Sequence, residues 1–133
     1  MSLEPGLSAK VKGVVTSDLT ARSQGSGDVE GLATPVMLRM IEAAAIKALE
    51  GRLAEAMTSV GTRLEVTHVA PTPVGMEVTA QATLVEVEGR TLVFAVSAED
   101  QGGVIGKGTH QRAIVDRELF ANRIQSRWTL GQE

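Results

Sequence analysis

A chain of 133 residues, 43% of them hydrophobic, is the size of one domain with a real core. A net charge of −3 and only three aromatic residues, Phe94, Phe120 and Trp128, exclude the basic stripe and the stacking rings that nucleic-acid binding requires. Cysteine is absent, which excludes disulfides, a thiol nucleophile and thiolate metal sites. No apolar run has membrane-spanning length and no basic segment precedes a short apolar one, so neither a membrane span nor a secretory signal is expected and the cytoplasm is the expected location.

Residues 10–17 alternate and are rich in valine, which predicts a first strand. Residues 18–31 are rich in Ser, Gly, Asp and Thr. They predict a loop whose length makes it a candidate lid. The pattern then changes to strong helix formers, and one helix is predicted over residues 35–50. Thr34 is its expected N-cap, Pro35 suits the first turn and Gly51 is the expected stop. Between Val36 and Leu49 the only polar residues are Arg39, Glu42 and Lys47. A helix apolar on nearly every side is expected to be buried on nearly every side.

Four strands are predicted to follow. The first begins near Val60 and is ended by Pro71 and Pro73. Residues 76–87 alternate cleanly, turn at Glu88-Gly89-Arg90 and return over residues 91–98. After a turn at residues 100–103, the last strand covers residues 104–115. Residues 116–133 are polar and predict a short helical turn, then a frayed tail from about residue 121. The expected class is therefore α+β, one domain over residues 1–133. An antiparallel sheet wrapped around a long central helix, the hotdog arrangement, buries both economically. One sheet covers one side of such a helix, so a homodimer is expected, with further pairing possible in this architecture.

Glu42 is the chemical anomaly: a carboxylate in the most apolar stretch of the chain. Burial of a carboxylate is costly unless it is paired, and such groups cluster at functional sites. The competing reading is a solvated residue pairing with Arg39 or Lys47. His68 sits in a strand and becomes a general base if a carboxylate orients it. Thr34 places a hydroxyl at a helix N-terminus, where unpaired N–H groups attract negative charge. Gly61 allows a backbone N–H to approach a ligand. The two histidines, His68 and His110, and the scattered carboxylates show no metal-ligand spacing, so no metal is expected. Thr34 and Glu42 are eight residues apart, roughly 12 Å of helical rise. A substrate must span them, or a partner chain must bring the groups together.

Five blocks in order resemble the fluoroacetyl-CoA thioesterase-like family of hotdog proteins: Leu32-Ala33-Thr34-Pro35, Met40-Ile41-Glu42-Ala43-Ala44, Ser59-Val60-Gly61-Thr62, residues 68–76 and residues 106–112. The resemblance spans about residues 7–120. It implies a hotdog fold with active sites near a dimer interface, an acyl-CoA substrate and no cofactor. It implies Thr34, Glu42 and His68 as the catalytic residues, Gly61 as the residue positioning the thioester carbonyl, and Arg112 as a contact of the site or the CoA moiety. The fluoroacetyl-specific member carries phenylalanines in the loop before the helix. Here that loop, residues 23–29, has no aromatic residue. The expected activity is accordingly hydrolysis of a short-chain or otherwise general acyl-CoA, rather than fluoroacetyl-CoA in particular. It proceeds either through an acyl-enzyme on Thr34 or Glu42, or through water activated by His68. The alternatives are a non-catalytic acyl-CoA-binding hotdog protein and a hydratase of enoyl-CoA.

Overall fold

The computed structural model describes residues 3–131. Five antiparallel strands form one sheet: β1 (Ser8–Val14), β2 (Met57–His68), β3 (Glu77–Glu88), β4 (Thr91–Asp100) and β5 (Gly103–Asp116). Their spatial order is β1-β3-β4-β5-β2. The long helix α2 (Thr34–Ala48) lies in the hollow of the sheet and packs mainly against β1 and β3. This is the expected α+β arrangement.

Local chemistry explains the elements. In β3 the alternation places Val78, Ala80, Ala82 and Leu84 on the inner face with no exposed surface. In β4, Leu92, Phe94, Val96 and Ala98 are likewise buried on that face. The alanines keep this face low and let α2 approach, while Phe94, Met37 and Ile41 fill the volume. Gly89, at φ 59°, takes the left-handed conformation that the tight β3–β4 turn needs. Three register shifts bend the sheet: in β3 between Leu84 and Glu86, in β2 between Gly61 and Arg63, and in the β4–β5 pairing at Ala98 and Glu99.

Several boundaries differ from the sequence expectation, for local reasons. The segment expected to be a loop holds a 3₁₀ turn (Ser17–Leu19) and a one-turn helix α1 (Ala21–Gln24). The Thr20 hydroxyl accepts from the Ser23 N–H and Gly25 closes the helix in the left-handed conformation. Backbone bonds from Ala21 N–H to the Gly31 carbonyl and from Arg22 N–H to the Val29 carbonyl fold the segment back on itself. The C-terminal segment is also more regular than expected. Asp116 accepts from the Leu119 N–H and starts α3 (Arg117–Leu130), a full helix none of whose residues is buried. Residues 132–133 of the expected tail lie outside the described residues. Finally, α2 is not covered on all sides. Ile46 is 50% exposed and Leu38 is partly open, so one apolar flank of the helix has no cover within the protomer.

Candidate active site

The helix begins at its expected cap, Thr34, one residue earlier than expected. Ala33 is the N-cap and no side chain caps the first turn. Thr34 is thus the first helical residue, and its hydroxyl is free for another partner. That partner is His68, the last residue of β2: Thr34 Oγ1 and His68 Nδ1 are 2.7 Å apart. The other ring nitrogen, Nε2, is buried and has no hydrogen-bond partner among the described residues. Thr34 and His68 share a wall with a cavity of about 330 Å3. Its opposite wall is the folded-back segment, through Ala21, Ser26, Gly27 and Val29. On the other flank of α2 lies a cavity of about 350 Å3 between the helix and β1. Its lining has no carboxylate, imidazole or hydroxyl side chain, and its charged members are Lys12 and Arg39.

Glu42 stands in a second cluster. Its carboxylate is 3.6 Å from the Arg112 guanidinium, with Arg112 only 5% exposed and Glu42 40% exposed. The sequence expectation of a buried carboxylate is therefore not met within the protomer. Nor is its partner Arg39 or Lys47, since the Lys47 ammonium donates to the Lys10 carbonyl. The buried member is the cation. Arg112 Nε donates to Ser59 Oγ at 2.8 Å, Nη2 to the Ser59 carbonyl at 3.1 Å and Nη1 to His110 Nε2 at 3.1 Å. Burial draws the guanidinium below its ordinary value while Glu42 opposes the shift. Gly61 faces Arg112 in the β2–β5 register, and a Cβ there would sit 2.8 Å from Glu42 Oε2. The lack of a side chain at position 61 is what lets the carboxylate lie against the strand.

The expected constellation is consequently split. Thr34 and His68 meet, whereas Glu42, Gly61 and Arg112 meet elsewhere. Gly61 and His68 are seven residues apart on β2, roughly 23 Å along an extended strand. Two residues that sequence reasoning left without a role, His110 and Ser59, complete the second cluster. The available signal was the period of β5. Gly106, Gly108, His110 and Arg112 alternate onto one face, so two polar residues were bound to point under the helix.

Comparison with known proteins places the chain in a family and agrees with the fold. The family model described as fluoroacetyl-CoA-specific thioesterase matches residues 15–118. The chain belongs to this family. It is 40% identical over 102 residues to the fluoroacetyl-CoA thioesterase of Streptantibioticus cattleyicolor, covering 77% of this chain and 73% of that protein. A solved structure of a fluoroacetyl-CoA thioesterase superposes with a TM-score of 0.88 at 34% identity, over 95% of this chain and 98% of the other. A thioesterase superfamily member from Thermus thermophilus superposes with a TM-score of 0.85 at 29% identity, over 96% of each chain. The chain is thus a hotdog-fold member of a thioesterase family.

Proposed function

We propose that the protein hydrolyses an acyl-CoA thioester in a site completed by a homodimer, with Thr34 and His68 from one protomer and Glu42 from the other. The observation that carries this reading is the unpartnered Nε2 of His68. Thr34 occupies Nδ1, so Nε2 is the atom that must meet something outside the pair. As an N–H it needs an acceptor, and as a lone pair it takes a proton from water or a nucleophile. A carboxylate serves the first case and a water held by that carboxylate serves the second.

Edge geometry favours the partner as the source of that carboxylate. β2 ends the sheet and pairs with β5 alone, so its outer edge is open to another strand. A second copy of β2 pairing antiparallel about a two-fold axis between Leu64 and Glu65 sets Gly61 of each strand opposite His68 of the other. Glu42, which lies over Gly61, then faces the Thr34–His68 pair across the axis. The same contact covers Leu38 and Ile46, the open flank of α2.

In this site the thioester carbonyl sits at the N-terminus of α2, where the Thr34 N–H and the helix dipole stabilise the developing oxyanion, since Pro35 has no N–H and Val36 and Met37 donate to the Ala33 carbonyl. His68 acts as the general base toward Thr34 or toward water, and Glu42 orients it. Arg112 holds Glu42 in place. The folded-back segment at residues 18–31 serves as a lid over the acyl group, and its polar, glycine-rich composition fits an acyl group other than fluoroacetyl. Free-thiol release across a panel of CoA thioesters tests the activity. Hydrolysis of at least one short acyl-CoA is expected. Tight binding without thiol release would support a non-catalytic binder, and loss of enoyl absorbance without thiol release would support a hydratase.

A further inference from the structure

His110 is the one nearly fully buried titratable side chain among the described residues that the reaction above does not use. It is 1% exposed on the inner face of β5 and stacked against Phe94, ring centroids 6.2 Å apart. Its hydrogen bonds fix its proton. Nδ1 lies 2.8 Å from the Arg63 carbonyl oxygen. A carbonyl only accepts, so Nδ1 carries the hydrogen. Nε2 lies 3.1 Å from Arg112 Nη1. A guanidinium only donates, so Nε2 must offer its lone pair. Both bonds hold for one species alone, the neutral Nδ1–H tautomer.

We propose that His110 is a positioning residue for Glu42: its Nε2 lone pair fixes the Arg112 guanidinium, which holds the Glu42 carboxylate against Gly61, and protonation of His110 releases that carboxylate. This rests on the assignment of Glu42 to the reaction. A protonated His110 loses its bond to Arg112 and places a second positive charge against it. Arg112 Nη1 is the same nitrogen that faces Glu42 Oε2, so any turn of the guanidinium moves the carboxylate. The charged groups around the ring are few. Arg112 comes from β5 itself and Glu42 from α2, β4 presents uncharged Phe94, and β2 presents the Arg63 carbonyl and Ser59. The Arg63 side chain is turned outward to Glu65. Desolvation, the largest influence, lowers the His110 pKa from its ordinary 6.5, with Arg112 adding to it and the Arg63 carbonyl and Glu42 opposing.

The test compares wild type with His110→Gln and His110→Leu. Glutamine offers an amide oxygen near the Nε2 position and does not titrate, whereas leucine offers no acceptor. With a CoA thioester that wild type hydrolyses, His110→Leu should lose about tenfold in kcat with little change in KM. His110→Gln should recover most of that loss. The acid side of its kcat/KM profile should also fall less steeply than that of wild type. Equal steepness in the two profiles, or equal loss in both variants, would overturn the proposal. A second measurement needs no turnover. The sequence has two histidines, so nitrogen-detected NMR separates them with a single variant. His110 should be the Nδ1–H tautomer at neutral pH, and the Glu42 carboxyl carbon should show an inflection at the His110 titration that vanishes in His110→Gln. An Nε2–H tautomer, or a Glu42 signal indifferent to that titration, would refute the coupling. If no thioester is hydrolysed while this NMR coupling is present, the thioesterase reading fails and the His110–Arg112–Glu42 linkage stands.

Discussion

Replacing Gly61 with alanine should separate activity from stability. The new Cβ would lie 2.8 Å from Glu42 Oε2, 3.3 Å from His110 Cε1 and 3.4 Å from Arg112 Nη1. The tightest of these contacts is with the end of a flexible side chain that is 40% exposed, so relief comes from swinging the carboxylate outward. Gly61 does not have a positive φ, so alanine fits the backbone and gains about 0.4–1 kcal/mol from a less flexible unfolded chain. The net change in stability should stay within about 1 kcal/mol, a shift of a few degrees in melting temperature. The carboxylate, however, must move by on the order of half an ångström or more, and misplacement of about 1 Å costs about a hundredfold in rate. The expected result is a folded protein whose kcat, read by free-thiol release, falls about ten- to a hundredfold. Near-wild-type turnover would refute the role given to the Glu42–Gly61 contact. Loss of the fold would refute the claim that the contact is sterically soft.

Other outcomes follow from the same geometry. Thr34→Val keeps the shape but removes the hydroxyl bonded to His68, so hydrolysis should fall at least about a hundredfold with a nearly unchanged melting curve. Phe94→Ala empties a fully buried position and should destabilise the protein by about 3–5 kcal/mol in denaturant titration. Gly108→Ala should prevent folding, because its Cβ would fall against the Glu65 carbonyl and the Val66 Cα, both backbone atoms in the paired strand β2; soluble, cooperatively melting protein would contradict this. For pH, His110 binds its proton less readily folded than unfolded. The unfolded chain then takes up more protons as pH falls below the ordinary value, so stability should decline from about pH 6.5 downward until the folded histidine also protonates. In His110→Gln that part of the decline should be missing from pH-dependent melts.

Much of the fold was legible because its signals are strong and local. The run of helix formers gave α2, and the period of two in β3 and β4 gave the core face. What was misread depends on local bonds or on packing between distant segments. Thr34 reads as a cap because threonine suits that position, yet Ala33 occupies it and the hydroxyl turns to His68. α3 lacks a buried face, so no hydrophobic period announced it, although Asp116 is a good cap. The order in residues 18–31 comes from caps and short backbone bonds in a composition typical of loops. At the site, composition singled out Glu42 but not its companion. Arg112 comes from a strand seventy residues later, and pairings of that separation leave no trace in spacing. The division of the expected trio into two clusters had one forewarning, the rise between Thr34 and Glu42 along the helix.

Subunit complementation tests the central claim most directly. His68→Ala and Glu42→Gln homodimers, each expected to be inactive, are mixed, exchanged and assayed for thiol release. If each site takes Thr34 and His68 from one chain and Glu42 from the other, half of the dimers are mixed and each carries one intact site, so activity should return to about one quarter of wild type. A mixture that exchanges subunits yet stays inactive would contradict the shared site.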